Sequence, residues 1–328
     1  MSDLETASHS GGSAGLNFLA GGGEMGALIR GHDWAATPLG PPQHWPQSLK
    51  TAVRIMLTSR QPIWIGWGRE LIYLYNDPYQ SIIGGKHPWA LGRPTSQVWR
   101  EIWPEIGPML AQAMGGVEGT YTEEALLIME RNGYPEETYY TFSYSPIPDD
   151  AGEPGGVICA NTDDTQRVIG ERQLALLRRL AADTTDARSW RQVCERSVEA
   201  LSANPRDATF ALLYLADAEA DALTLAAASG LEPGQPGAPQ TLPLSAATPW
   251  PVAAVLDDHL PRLADLAPIM GGEAPRGAWE RPSAQAAVLA IAPSGDAGRA
   301  GVLVVGLNPF RLFDQDYRGF LSLSLIHI

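Results

Sequence analysis

Two periods of hydrophobicity alternate along the chain. PQSLKTAVRIMLTS, residues 46–59, repeats apolar residues at helical spacing, with Leu49, Val53, Ile55 and Met56 as its stripe and Pro46 at its start, where a missing N–H costs nothing. The period then changes. PIWIGW (62–67) and LIYLYN (71–76) are short apolar runs rich in isoleucine and aromatic residues, split by GRE, and read as a hairpin. Asn76 and Asp77 offer a cap for a short helix over PYQSII. SQVWREIWPEIGPMLAQAMGG (96–116) returns to helical spacing, with Trp99, Trp103 and Ile106 on one side, then Met109 and Leu110. TEEALLIMERNGYPEETYYTFSYSPIPD (122–149) predicts two strands around Asn132-Gly133, and GGVICANTDD (155–164) one more.

From Thr165 to Asn204 the pattern is polar and helical, without proline. Leu174, Leu177, Ala181, Thr184 and Arg188 follow a loose 3-4 spacing. Such a stripe suits either a seam between two copies of the helix or a linker helix packed on its own domain. After Asn204-Pro205 a second α/β pattern begins. TFALLYLAD (209–217) and ALTLAAASG (222–230) are strands joined by the acidic AEAD. A Pro/Gly-rich stretch leads to VAAVLDD, and AQAAVLAI and GVLVVG are two strong strands around a Gly/Ser/Asp turn. DQDYRGFL opens a helix capped by Asp314 or Asp316, which is expected to break at about Ser322.

Length and charge narrow what these elements can do. A chain of 328 residues is more than one core usually organises, so two domains are expected. The formal charge, 23 − 37 = −14, repels phosphate backbones and anionic membranes, so neither a nucleic acid nor a membrane is expected as a partner. Cys159 and Cys194 are not spaced as a metal or disulfide pair, and no metal site is read. The acidic, glycine-rich start lacks the apolar core of a signal peptide, and no apolar run is long enough to span a bilayer, which together predict a cytoplasmic protein. GDAGRAG joins two strands instead of opening a helix, so it is read as a hairpin turn and not a phosphate loop.

The first block resembles a PAS domain. PIWIGWGRELIYLYNDPY, ALGRPTSQVW and YTFSYSPIPDDAGEPGGVICANTDDT carry the resemblance, in its first hairpin, its loop step and its last two strands. The second block resembles a GAF domain, chiefly in GVLVVGLNPFRLFDQDYRGFL, and GERQLALLRRLAA looks like the signalling helix that joins such modules. Preceded by the N-terminal segment GEMGALIRGHDWAATPLGPPQHWPQSL, this order is similar to the N-terminal sensory half of bacterial soluble sensor histidine kinases, often hybrid ones.

The resemblance implies an α+β chain of two PAS/GAF-like domains, each an antiparallel sheet flanked by helices, joined by a helical linker. Its segments are a disordered start (1–23), an N-terminal segment with its helix (24–60), a PAS domain (61–165), a linker helix (166–204), a GAF domain cut short (205–322) and a non-native tail (323–328). None of the six histidines sits in the H-E-[FL]-R-T-P string of a phosphoacceptor helix, and no nucleotide-binding boxes follow, so no catalytic residue is assigned. The resemblance implies a homodimer, a missing kinase module, a response regulator and a small-molecule signal of unknown identity. A diguanylate cyclase or serine phosphatase in place of the kinase, or a free-standing dimeric adaptor, fits the same residues.

Trp64, Trp67, Tyr75, Asn76, Trp99, Trp103 and Cys159 are the residues expected to line a ligand pocket in the PAS domain. Aromatic faces at this density can stack a planar ligand or simply fill a core. Which cofactor, if any, occupies it is not fixed by the residues. A flavin-reactive N-C-R-F-L-Q string is absent, His87 is a lone loop residue where a haem ligand would fall, and Cys194 lies too early for a bilin, so haem, flavin and bilin are not expected. Glu123, Glu124, Glu136 and Glu137 are read as charges facing water at hairpin ends.

Overall fold

The structure, a computed structural model, describes residues 14–116, 118–216, 221–244, 248–292 and 300–326. The chain divides into two compact units, Met1–Val168 and Ile169–Ile328. Each contains one antiparallel sheet flanked by helices, an α+β architecture.

In the first unit the helices α1 (Gly23–Gly31) and α2 (Gln47–Thr58) precede the hairpin β1 (Ile63–Trp67) and β2 (Ile72–Tyr75). The short helices α3 (Gln80–Ile83) and α4 (Thr95–Val98) and the longer α5 (Trp103–Gly115) follow, then β3 (Thr120–Met129), β4 (Glu136–Pro148) and β5 (Pro154–Asp163). The sheet order is β2-β1-β5-β4-β3. The β1–β2 turn holds Gly68 at φ 76°, where a side chain would be strained.

Strand alternation sorts the aromatic residues. Trp64 pairs in register with Tyr75 on β2 and with Cys159 on β5, and Cys159 pairs with Tyr144 on β4, so one layer of the sheet presents all four on one face. Trp67 is three residues along β1 and points the other way, toward Trp45 and Leu49.

Asn76 does not cap the helix after β2. Its side chain accepts from Ile63 N at 3.0 Å and donates to Met56 O at 3.0 Å and Gln61 O at 2.8 Å, which ties the end of α2 to the start of β1. Asp77 caps a different helix: its carboxylate accepts from Glu24 N and Met25 N in the first turn of α1. Asn76→Ala would strand one buried N–H and two carbonyls, at a cost of about 1–3 kcal/mol, measurable as a lower urea midpoint of this unit.

The second unit begins within α6 (Thr165–Thr185), which leaves the end of β5. After α7 (Trp190–Ser202) come β6 (Ala211–Ala216), β7 (Ala222–Ser229), β8 (Thr241–Pro243), α8 (Val252–Asp258), β9 (Arg262–Asp265) and α9 (Ala267–Met270). The strands β10 (Gln285–Ile291) and β11 (Gly301–Gly306) and the helix α10 (Gln315–Leu325) complete it. The order is β8-β7-β6-β11-β10-β9. The apolar run of β11 serves two cores: Leu303 and Val305 pack with Leu176, Leu180, Tyr317 and Phe320, while Val302 and Val304 pack with Phe210, Tyr214 and Trp250. A strand covered on both faces reads as continuously apolar, as GVLVVG does. Cys194 is buried in the first of these cores.

Several expectations change. Ala14–Leu19 form a 3-10 helix with Leu19 buried, where the sequence predicts disorder through residue 23; residues 1–13 lie outside the described residues. Ile55 is exposed, and Ala52 and Leu57 take its place in the α2 stripe because the turn rotates the buried face past it. On α6 Thr165, Ile169, Leu176 and Leu180 are buried, the two leucines in a core of the second unit, and Leu174 is exposed. Asp314, not Asp316, caps α10, accepting from Tyr317 N at 2.9 Å. The helix runs through Leu325, past the break expected at Ser322, with Ser324 buried and bonded to Phe320 O. The edge strands β8 and β9 are too short for their pattern to register. The acidic AEAD turn lies largely, and the GDAGRAG turn in most of its length, outside the described residues.

Candidate functional site

The face of the first sheet that carries Trp64 encloses a cavity of about 20 Å³, enough for roughly one water molecule. Trp64 and the β4 residues Tyr140, Phe142 and Tyr144 form its sheet side; Ile106 from α5, with Tyr79 and Trp99, closes it from the helical side. Trp64 stacks on Tyr73 at 4.8 Å between centroids and meets Tyr144 edge-on at 5.8 Å. Trp99 donates its indole N–H to the Tyr73 hydroxyl at 3.0 Å. Burial pushes the phenols of Tyr73, Tyr79 and Tyr144 well above their ordinary range, so they are neutral donors.

The seven residues expected in a pocket divide. Trp64 and Trp99 line the cavity. Cys159 lies against it: its thiol donates to Asn161 Oδ1 at 2.6 Å, Asn161 being a lining residue, and burial drives the thiol up, away from a reactive thiolate. Tyr75 shares the face but directs its hydroxyl to His87 Nδ1 at 2.8 Å. The other ring nitrogen of His87 meets Glu24 at 3.3 Å, so both are engaged within the chain. Trp67 is on the opposite face, Asn76 is a backbone tie, and Trp103 packs beside Gly107 on its own helix. Strand periodicity accounts for Trp67, since an offset of three residues cannot keep one face.

The cavity reaches a polar relay that the sequence alone does not expose. Tyr140 pairs in register with Asp163 at the end of β5. Its hydroxyl accepts from Arg131 Nη1 at 2.7 Å and donates to Asp163 Oδ2 at 3.2 Å. The other oxygen, Asp163 Oδ1, accepts from Thr165 N at 3.0 Å, the first residue of α6. Arg131 also bonds Glu136 at 3.1 Å, and Tyr139 OH donates to Glu137 at 2.8 Å. Glu136 and Glu137 are thus buried and paired, a correction to their reading as water-facing charges; Arg131, five residues before Glu136 across the turn, is the partner that lets a carboxylate be buried. Glu124 stays half-exposed and bonds Arg167 of α6 at 2.7 Å. A side chain in contact with the cavity is therefore two hydrogen bonds from the start of α6.

Tyr140, Phe142 and Tyr144 alternate along one strand, and that signal alone could have placed them in the cavity. The Arg131–Tyr140–Asp163 contact depends on the β4–β5 register, which no local pattern carries. Among the described residues no group of three or more His, Cys, Asp or Glu could hold a metal ion, and no helix is long and apolar enough to cross a membrane.

No family model matches the chain and no curated protein matches it. Among solved structures, the chain is similar to the GAF domain of a phosphoenolpyruvate-protein phosphotransferase from Acinetobacter, at 19% identity over 47% of this chain and 89% of that one, with a TM-score of 0.35. The corresponding GAF domain from Coxiella burnetii gives 21% identity over 48% and 90%, at 0.36. The free methionine-R-sulfoxide reductase of Neisseria meningitidis, in complex with its substrate, gives 15% over 47% and 85%, at 0.34.

Proposed function

We propose that the chain is the sensory and regulatory input region of a two-component sensor histidine kinase, with a PAS domain over 61–165, a signalling segment over 166–204 and a GAF domain over 205–322. The observation that carries this reading is the relay from the aromatic cavity through Tyr140 and Asp163 to the first turn of α6. In this reading a small molecule or a partner alters packing against Trp64, Trp99 or Ile106, and Tyr140 moves with the lining. Asp163 then loses or shifts one of the two bonds it makes to Tyr140 and to Thr165 N. Hydrogen bonds to a charged group are worth about 1.5–3 kcal/mol each, enough to shift a two-state helix start by one to two powers of ten. The chain would act as a homodimer on a kinase module that passes phosphate to a response regulator, and would not itself transfer phosphate.

A 20 Å³ cavity admits no organic ligand as it stands, so ligand entry requires the helical wall over Trp99 and Ile106 to move. That movement is what the relay would report. Tyr140→Phe keeps the ring and removes the relay hydroxyl. Hydrogen exchange at the Val168 amide, which makes the first backbone bond of α6 to Asp164 O, is expected to accelerate about tenfold, equivalent to ~1.4 kcal/mol. Unchanged exchange at Val168 would remove the relay from the mechanism.

A further inference from the structure

On the first unit, the end of α1 and the loop between α3 and α4 enclose a groove of about 550 Å³, a size that suits a small organic molecule. Leu28, Pro88 and Leu91 give it apolar walls. Trp89 stands at it with 47% of its surface exposed, an unusual place for so large an apolar side chain. The polar lining side chains are His32 and Arg93, and no carboxylate is among the lining residues.

Arg93 is held in position before anything binds. Its guanidinium lies over the Trp89 ring at 4.5 Å, and Nε donates to Trp89 O at 3.0 Å. Nη1 and Nη2 form the remaining fork, the edge that matches two carboxylate oxygens. Among the described residues neither makes a hydrogen bond or an ion pair. The backbone beneath is fixed as well. Tyr73 N donates to Arg93 O at 2.8 Å and Gly92 N donates to Tyr73 O at 2.9 Å, so the segment pairs with β2 on the side away from β1. An exposed arginine ordinarily loses side-chain freedom on binding, and one already held loses less.

His32 packs its ring on Trp34 at 4.4 Å and against Gly92, where a Cβ would overlap the imidazole. Neither ring nitrogen has a hydrogen-bond partner among the described residues. Partial burial lowers the His32 pKa, with Asp33 opposing, so the ring is neutral and has one N–H to donate. One unpaired cation in an apolar groove, on a chain of net charge −14, favours a single negative charge over a phosphate dianion.

We infer that this groove binds a small organic monocarboxylate, its carboxylate on the Nη fork of Arg93 beside His32 and its apolar body against Leu28, Leu91 and Trp89. The site shares no lining residue with the Trp64 cavity, so its failure would leave the Tyr140 relay untouched. Tyr73 connects the two places, holding Gly92 and Arg93 by its backbone and stacking on Trp64 by its ring.

The test is calorimetric titration of the full chain with phenylacetate, and separately with hexanoate, each beside its uncharged amide. At least one acid is expected to bind saturably with a Kd below about 1 mM, phenylacetate identifying an aromatic body and hexanoate an aliphatic one, and its amide at least tenfold more weakly. Arg93→Gln, at an exposed position, is expected to leave the thermal midpoint in place and weaken binding of the acid tenfold or more. Arg93→Lys, which keeps the charge and loses the fork, is expected to weaken it at least threefold. Failure of both acids to saturate by about 10 mM, equal binding of acid and amide, or binding unchanged in Arg93→Gln would overturn the assignment.

Discussion

Asp207→Ala is expected to destabilise the second unit by about 3–5 kcal/mol, the usual cost of removing one partner from a buried ion pair. The carboxylate is fully buried, accepts twice from Arg172, once from Arg311 and once from Asn204 Nδ2 at 2.8 Å, and lies next to a backbone carbonyl that accepts the Tyr317 hydroxyl. Four segments of the unit meet there: α6, the turn before β6, the loop before α10, and α10 itself. Alanine would take from Arg172 and Arg311 the buried carboxylate that both contact. The measurement is the urea midpoint of the second unit's transition, which should fall while the first unit's stays. Arg311→Ala should cost less than Asp207→Ala, since Arg172 still satisfies the carboxylate at two nitrogens.

Trp64→Ala is expected to cost the first unit about 3–5 kcal/mol, in the range for a buried aromatic truncated to a methyl group. Trp64 is 2% exposed, stacks on Tyr73, meets Tyr144 edge-on and faces Cys159 across the strand pair, so little around it can collapse inward without breaking those contacts. The vacated space adjoins the 20 Å³ cavity and would merge with it. Added indole should therefore recover part of the lost thermal stability by refilling that space, because a ligand that binds only the folded form raises its stability by mass action. A thermal midpoint that neither falls on substitution nor responds to indole would mean that Trp64 does not hold this face together.

The sequence exposes the features of the fold that repeat locally. The switch from helical to strand period after Ser59, the Asn132-Gly133 turn and the unbroken apolar run of Gly301–Gly306 all follow from side-chain spacing, and each element lies where its pattern falls. The candidate site is legible only in its aromatic half. Trp64 and Trp99 advertise a packed interior, but counting tryptophans cannot tell the cavity face from the face of Trp67; only strand parity does. The polar half is long-range. Arg131 with Asp163, and Arg172 with Asp207, are joined 32 and 35 residues apart by register and helix packing, and their types match those of any solvated ion pair. Asn76 misleads for the opposite reason. Its type and place match a local cap, yet the open backbone groups around β1 recruit its side chain first.

In the proposed mechanism the state of the aromatic cavity is read at the first turn of α6 through the Tyr140 hydroxyl. A double-mutant cycle tests it most directly. Ile106→Ala enlarges the cavity from the α5 side without touching the relay, and Val168 amide exchange reports the helix start. Ile106→Ala is expected to accelerate this exchange in the wild-type background, and the increment is expected largely to disappear when Tyr140 is Phe. The same increment in both backgrounds would show that cavity and helix respond independently, and would contradict the claim.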